Sequence, residues 1–289
     1  MANFKSTKIN PSGFSLGQIK FLIYLIPICA FMALPIIYII NNAFKPMDEL
    51  FAYPPRFWVL KPTLKNFTNL FRQSSTSGIP FTRYLFNSLI ITGVGVFVTI
   101  IMTAMTGYGL SKLNFKGKRQ LFKMNQMALM FVQVAVTIPR FLIITKLGFY
   151  DSFLAHIIPA LAMPVGLFLV KQNVDQVPNE LIEAAKIDGA NEYDIFFRII
   201  IPIIKPALAT VAILSFQEFW NTEGASTLYI DSESKKNLAF FLSTISAGST
   251  VAGKGMEAAA SFIMFIPNLI IFVIIQSKVM DTMAHSGIK

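Results

Sequence analysis

The chain has 289 residues, 54% hydrophobic and 14% charged, with a mean hydropathy of +0.58. That composition excludes an average soluble domain, which is about a quarter charged, and a disordered chain, which is polar with high net charge; the single cysteine, Cys29, excludes an intrachain disulfide and metal sites built on clustered thiolates. In a lipid-embedded chain the net charge of +10 reports which side of the membrane the Lys and Arg occupy, and no nucleic-acid partner is expected.

A spanning helix needs about 20 largely apolar residues, because about 30 Å of hydrocarbon is crossed at a rise of about 1.5 Å per residue. Six segments approach that length: Phe21–Asn41, Leu85–Leu110, Leu121–Thr145, Phe153–Val170, Pro202–Trp220 and Ala258–Val279. The expected fold is all-α, a polytopic membrane protein with six transmembrane helices. It divides into an N-terminal tail (1–20), a six-span domain (21–281) and a C-terminal tail (282–289). The first segment reads as an anchor rather than a cleavable signal, since its apolar run exceeds a signal-peptide core and no small-residue cleavage site precedes Asn42-Ala43-Phe44-Lys45.

Orientation follows from the short second connection, where Lys112, Lys116, Lys118, Arg119 and Lys123 crowd together and mark the cytoplasmic side. Both termini are then cytoplasmic, and the connection 146–152, with only Lys146, is external. The first connection, 42–84, is placed outside although it carries six Lys or Arg, because long loops obey the rule less strictly. Within it, Phe51-Ala52-Tyr53-Pro54-Pro55-Arg56-Phe57-Trp58 reads as an ordered segment at the headgroup boundary, followed by a short helix over Leu64–Phe71.

Residues 171–201 form a polar insertion with helix signals. Asn179 is expected to cap a helix that Gly189 ends, with Leu181, Ala184, Ala185 and Asp188 on one face as a low-profile stripe suited to close docking. Asn191, with Asp194 at the third helical position, starts a second helix that Pro202 limits. Two short helices at an angle make a rigid protrusion.

The run Glu183-Ala184-Ala185, three residues, Gly189, nine residues, Ile199, one residue, Ile201-Pro202 resembles the EAA loop of permease subunits in binding-protein-dependent ABC importers. It departs from that motif only at Ile201, where the family has Leu. The flanking Ile187-Asp188-Gly189-Ala190 and Phe219-Trp220-Asn221 resemble the carbohydrate branch, typified by the maltose permease. The resemblance implies a subunit of the bacterial cytoplasmic membrane that forms half of a translocation path with a second, homologous permease. It also implies two cytoplasmic ATPase subunits and an extracytoplasmic sugar-binding protein, with lipid around the spans. Glu183, Ala184, Ala185, Asp188, Gly189, Ile199 and Pro202 would carry the coupling to the ATPases. ATP and Mg would be bound by those partners, leaving this chain without a cofactor or an active site of its own.

The residues give no catalytic constellation. Gly248–Gly255 approaches the phosphate-loop pattern but ends in Gly255 instead of a hydroxyl residue and lacks a strand before it. His156 and His285 lie in different regions and support neither a triad nor a metalloprotease motif. For substrate contact, Arg140 stands out as an ionisable residue inside a span, either lining the path or snorkelling to the interface. Gln217, Glu218, Trp220 and Asn221 combine an aromatic plate with hydrogen-bonding groups, as a sugar ring requires, and equally fit an interfacial belt. The rival function is an ion-coupled secondary transporter working without an ATPase, which should show inverted repeats and intramembrane acids.

Overall fold

A computed structural model describes residues 16–72, 78–248 and 253–286, and the described residues form helices with no strand. Helix α1, Leu16–Phe44, begins inside the expected N-terminal tail and runs 29 residues. Its apolar side chains from Ile23 to Met32 are exposed, and it meets the rest of the chain through its later turns. In the first connection lie α2, Met47–Leu50, and α3, Lys65–Arg72, the latter where the short helix was expected. Between them the loop is held by buried polar groups. The Glu49 carboxylate accepts the N–H groups of Leu60 and Lys61, both at 2.9 Å, and Asn66 Nδ2 donates to the carbonyls of Ala43 and Lys45. Backbone groups with no helix or sheet partner are thus satisfied.

Helix α4, Phe81–Lys112, is the central mast, packed against the fourth- and fifth-span helices. Lipid offers no hydrophobic drive between helices, so close contact rests on small residues. A Cβ at Gly95 would stand 2.6 Å from the Phe219 ring, and one at Gly107 2.6 Å from Val170 Cγ1.

Three of the expected spans are broken, the fourth and fifth beside prolines. Leu121–Thr145 is not one helix but α5, Lys118–Ala128, a 3-10 turn at Gln133–Val136, and α6, Thr137–Lys146. Pro139 sits in the first turn of α6, where its missing N–H costs nothing; deeper in a continuous helix its ring would clash with the preceding turn. The fourth span is α7, Leu154–Leu161, and α8, Pro164–Asp175, bent by 46°. Met163, preceding Pro164, is pushed out of the helical region to φ −108°, ψ 85°.

After α8 come α9, Asn179–Ile187, and a mixed segment, Glu192–Ile203. That segment comprises α10, Glu192–Asp194, a π-helical turn, Ile195–Ile200, and α11, Ile201–Ile203. It meets α12, Lys205–Asn221, at 78°. The expected limit at Pro202 shifts to Ile204: Pro202 and Pro206 each occupy a first-turn position, so one helix ends and the next begins between them. The chain closes with α13, Gly224–Tyr229, α14, Leu238–Ala247, and α15, Gly253–Ser286. Helix α15 thus extends into the expected C-terminal tail. Among the described residues three helices are long and apolar enough to cross a membrane, and up to five spans result when each bent pair counts as one. The sixth expected span is the divided third segment.

Candidate functional site

Two regions gather the residues singled out from the sequence. The first is the protrusion at α9. Pro178, not Asn179, occupies its cap position, and the expected side-chain cap is absent there. Asn179 instead accepts from Lys112 Nζ at 2.8 Å, and the same ammonium donates to the Val177 carbonyl, pinning the start of α9 to the end of α4. The far end closes as expected. Gly189 adopts φ +84°, the Ala190 N–H donates to Ala185 O at 2.9 Å, and the Gly189 N–H donates to Lys186 O at 3.1 Å. This is a Schellman termination, which requires a left-handed residue at that point.

The expected docking stripe divides between two faces. Ile182 is buried, and Ala185 packs beside it on a core that includes Tyr108, Val170, Val174 and Ile195. Glu183, Ala184, Asp188 and Gly189 are exposed together with Leu181. Ile187 is 86% exposed and Tyr193 75%, leaving large apolar side chains in an otherwise polar surface. Beyond the turn, Asn191 caps as expected, its Oδ1 accepting the N–H groups of Tyr193 and Asp194 at 2.9 and 3.0 Å. Ile199 packs on the same core as Ala185, whereas Pro202 is exposed.

Glu192, which the sequence did not single out, locks this protrusion. Its carboxylate pairs with Lys186 Nζ at 2.8 Å and accepts from the Tyr108 hydroxyl of α4 at 2.5 Å. The Lys186 hydrogen bond first, then that of Tyr108, holds the Glu192 carboxyl below its ordinary pKa against an opposing effect of burial.

The second region is a cavity of about 800 Å³ whose lining includes Arg140, His156, Gln217, Glu218 and Asn221. Four of the five residues proposed for substrate contact therefore converge, although α6 and α12 are far apart in sequence. Trp220 does not join them. It is 1% exposed, stacked on Phe216, with its indole N–H donating to Met264 O at 2.9 Å, so its ring serves the core. Asn221 exchanges hydrogen bonds with Asn268 of α15 at 3.2 and 3.1 Å. His156 joins the lining unexpectedly, with Nε2 3.0 Å from Ser226 Oγ.

A third cluster gave no sequence signal. Asp151, at φ 51°, receives Ser232 N–H, Ser232 Oγ and Lys235 Nζ. The segment 232–237 is also gripped by α4, where Asn87 Nδ2 donates to Ser234 O and Lys236 O, and the Tyr84 hydroxyl to Glu233. Gly255, last residue of the false phosphate loop, has a packing role: a Cβ there would stand 2.4 Å from Asn66 Oδ1. Residues 249–252 of that loop lie outside the described residues.

Residues 80–277 match the family described as binding-protein-dependent transport system inner membrane component. The chain is 28% identical over its whole length to the whole of the inner membrane ABC transporter permease protein YcjP of Escherichia coli. It is 30% identical to the arabinooligosaccharides transport system permease protein AraQ of Halalkalibacterium halodurans, covering 90% of this chain and 92% of that one. Among solved structures, a bacterial ABC transporter involved in the import of the acidic polysaccharide alginate has a chain with TM-score 0.78 and 23% identity, covering 92% of this chain and 99% of that one. That likeness shows the fold.

Proposed function

The chain belongs to the family of binding-protein-dependent transport system inner membrane components, and from that membership we propose that it is a permease subunit of an ATP-driven importer for a sugar or oligosaccharide. It pairs with a second, homologous permease to enclose the path, takes cargo from an extracytoplasmic binding protein, and receives motion from two cytoplasmic ATPases. ATP and Mg belong to those partners. Both termini lie on the cytoplasmic side, with the protrusion at α9.

The observation that carries this reading is the construction of the protrusion. A docking element that transmits force must be stiff and must be tied to a span. Here α9 is pinned at its start by Lys112, closed at its end by Gly189, and tied through Glu192 to α4. It exposes Glu183, Ala184, Asp188 and Gly189 beside Leu181 and Ile187, a small-residue surface flanked by apolar contacts. Insertion into a cleft on an ATPase would let nucleotide-driven closure rock α4 and the helices packed on it, an interface rotation that alternates access. The cavity bearing Arg140, Gln217, Glu218 and Asn221 offers cationic, acidic and amide groups to a polyhydroxylated cargo.

Co-purification tests the docking surface. Expressed with a partner permease and ATPases, the wild-type chain should retain the ATPases through detergent extraction. Glu183→Lys combined with Ile187→Asp should release them while the second permease stays bound. Undiminished ATPase retention in that variant would contradict the assignment.

A further inference from the structure

We propose that the groove beside the first turn of α5 binds the phosphate group of an anionic phospholipid. The groove is about 560 Å³, and its lining includes Ser111, Phe115, Lys118, Arg119, Phe122 and Lys171. Lys118, Arg119 and Lys171 line it, Lys116 precedes the lining residue Gly117 and Lys123 stands one helical turn beyond Arg119 on α5, and the sequence from Leu50 to Tyr150 contains no Asp or Glu.

The cations divide into two sets. Lys118 Nζ donates to Ser111 O at 2.8 Å and Leu113 O at 3.0 Å, closing the end of α4. Lys112 is spent on Val177 and Asn179. Lys171 pairs with Asp175 at 2.6 Å and lies 4.5 Å over the Phe122 ring, which itself stacks on Phe168. Lys118 and Lys171 form a fixed floor, and the only carboxylate lining the groove, Asp175, is already occupied by Lys171 and Ser111. Lys116, Arg119 and Lys123 are exposed and enter no ion pair among the described residues. Uncommitted Arg119 in the lining, with Lys116 and Lys123 next to it along the chain and the acid already occupied, makes a site for an anion.

The neighbouring surface selects a lipid over a free anion. Phe115 is 44% exposed, Leu121 51% and Met124 60%. Exposed apolar side chains interleaved with the cations offer contacts to acyl chains beside the headgroup, whereas inorganic phosphate would use only the cations. The groove adjoins the protrusion through Lys112, so the lipid would come from the leaflet on that side, where juxtamembrane Lys and Arg attract anionic headgroups. This site stands independently of the coupling function.

Native mass spectrometry of the full chain in detergent tests it, with phosphatidylglycerol titrated against phosphatidylcholine of matched acyl chains. Phosphatidylglycerol should be retained in preference. Lys116→Gln, Arg119→Gln and Lys123→Gln together should weaken its retention about 100-fold, from roughly 5-fold per cation. The charge-keeping set Lys116→Arg, Arg119→Lys, Lys123→Arg should retain it. Lys61→Gln, Lys65→Gln and Arg72→Gln, which remove equal charge elsewhere, should leave it unchanged. Equal retention of both lipids, undiminished retention in the neutralised set, or release of lipid by inorganic phosphate would overturn the proposal, the last by assigning the groove to a free anion.

Discussion

The Tyr108 hydroxyl donates to Glu192 at 2.5 Å across 84 residues of sequence, joining the last turns of α4 to the protrusion beyond α9. Lys186 completes the arrangement from the other side at 2.8 Å. The protrusion is thereby a fixed extension of α4 rather than a tethered loop, and whatever moves it moves the mast.

Tyr108→Phe removes this tie while preserving the ring's packing on Phe196. Glu192 is 46% exposed and keeps Lys186, so the stability cost should be small, about 1 kcal/mol. In proteoliposomes the variant should hydrolyse more ATP per sugar imported than wild type. An unchanged ratio would show that force does not pass through this contact.

Gly189 tests the termination of α9. No atom lies within 4 Å of a Cβ built there, so a substitution meets backbone strain at φ +84° and not crowding. Gly189→Ala should cost roughly 1–2 kcal/mol and Gly189→Asn less, since Asn tolerates the left-handed region. ATPase co-purification should fall in the order Gly, Asn, Ala.

The α4 glycines make the opposite prediction. At Gly95 and Gly107 the limit is space, with Phe219 and Val170 each 2.6 Å from a built Cβ. Gly107→Leu should overpack the α4–α8 contact and cost about 1–3 kcal/mol, lowering the melting temperature in detergent. Gly93→Leu, facing open space, should leave it nearly unchanged.

Asp151 gives a pH dependence. The Lys235 ammonium, then the Ser232 hydroxyl, hold its carboxyl well below the usual carboxylate range. A depressed folded-state pKa contributes stability that is fully present above the unfolded value of about 3.9 and is lost as pH falls from there through the folded value. Wild type should therefore melt above Asp151→Asn at pH 7, and the gap should narrow progressively below about pH 4. A gap constant from pH 7 to pH 3 would exclude this linkage.

Much of the helical content was legible because lipid demands long apolar runs, and the motif from Glu183 to Pro202 placed the protrusion. Hydropathy could not show the breaks, since the segment before Gln133 and the turns ahead of Pro164 and Pro206 end helices without making the segments polar. Periodicity assigned Ala185 to the docking face, but Ile182 draws that side of α9 into the core. Trp220 misled for a related reason: composition cannot distinguish an indole stacked on Phe216 from one presented to a cavity. Glu192, Asp151 and His156 act through partners distant in sequence, which spacing alone does not reveal.

The most direct test of the account is sugar-stimulated ATP hydrolysis by the reconstituted importer, comparing wild type with Glu183→Lys and Gly189→Asp. If α9 is the coupling element, binding protein and cargo should stimulate hydrolysis in wild type and fail to do so in both variants, with the two permeases still assembled. Full stimulation and transport in both variants would contradict the coupling role and favour a transporter that works without these ATPases.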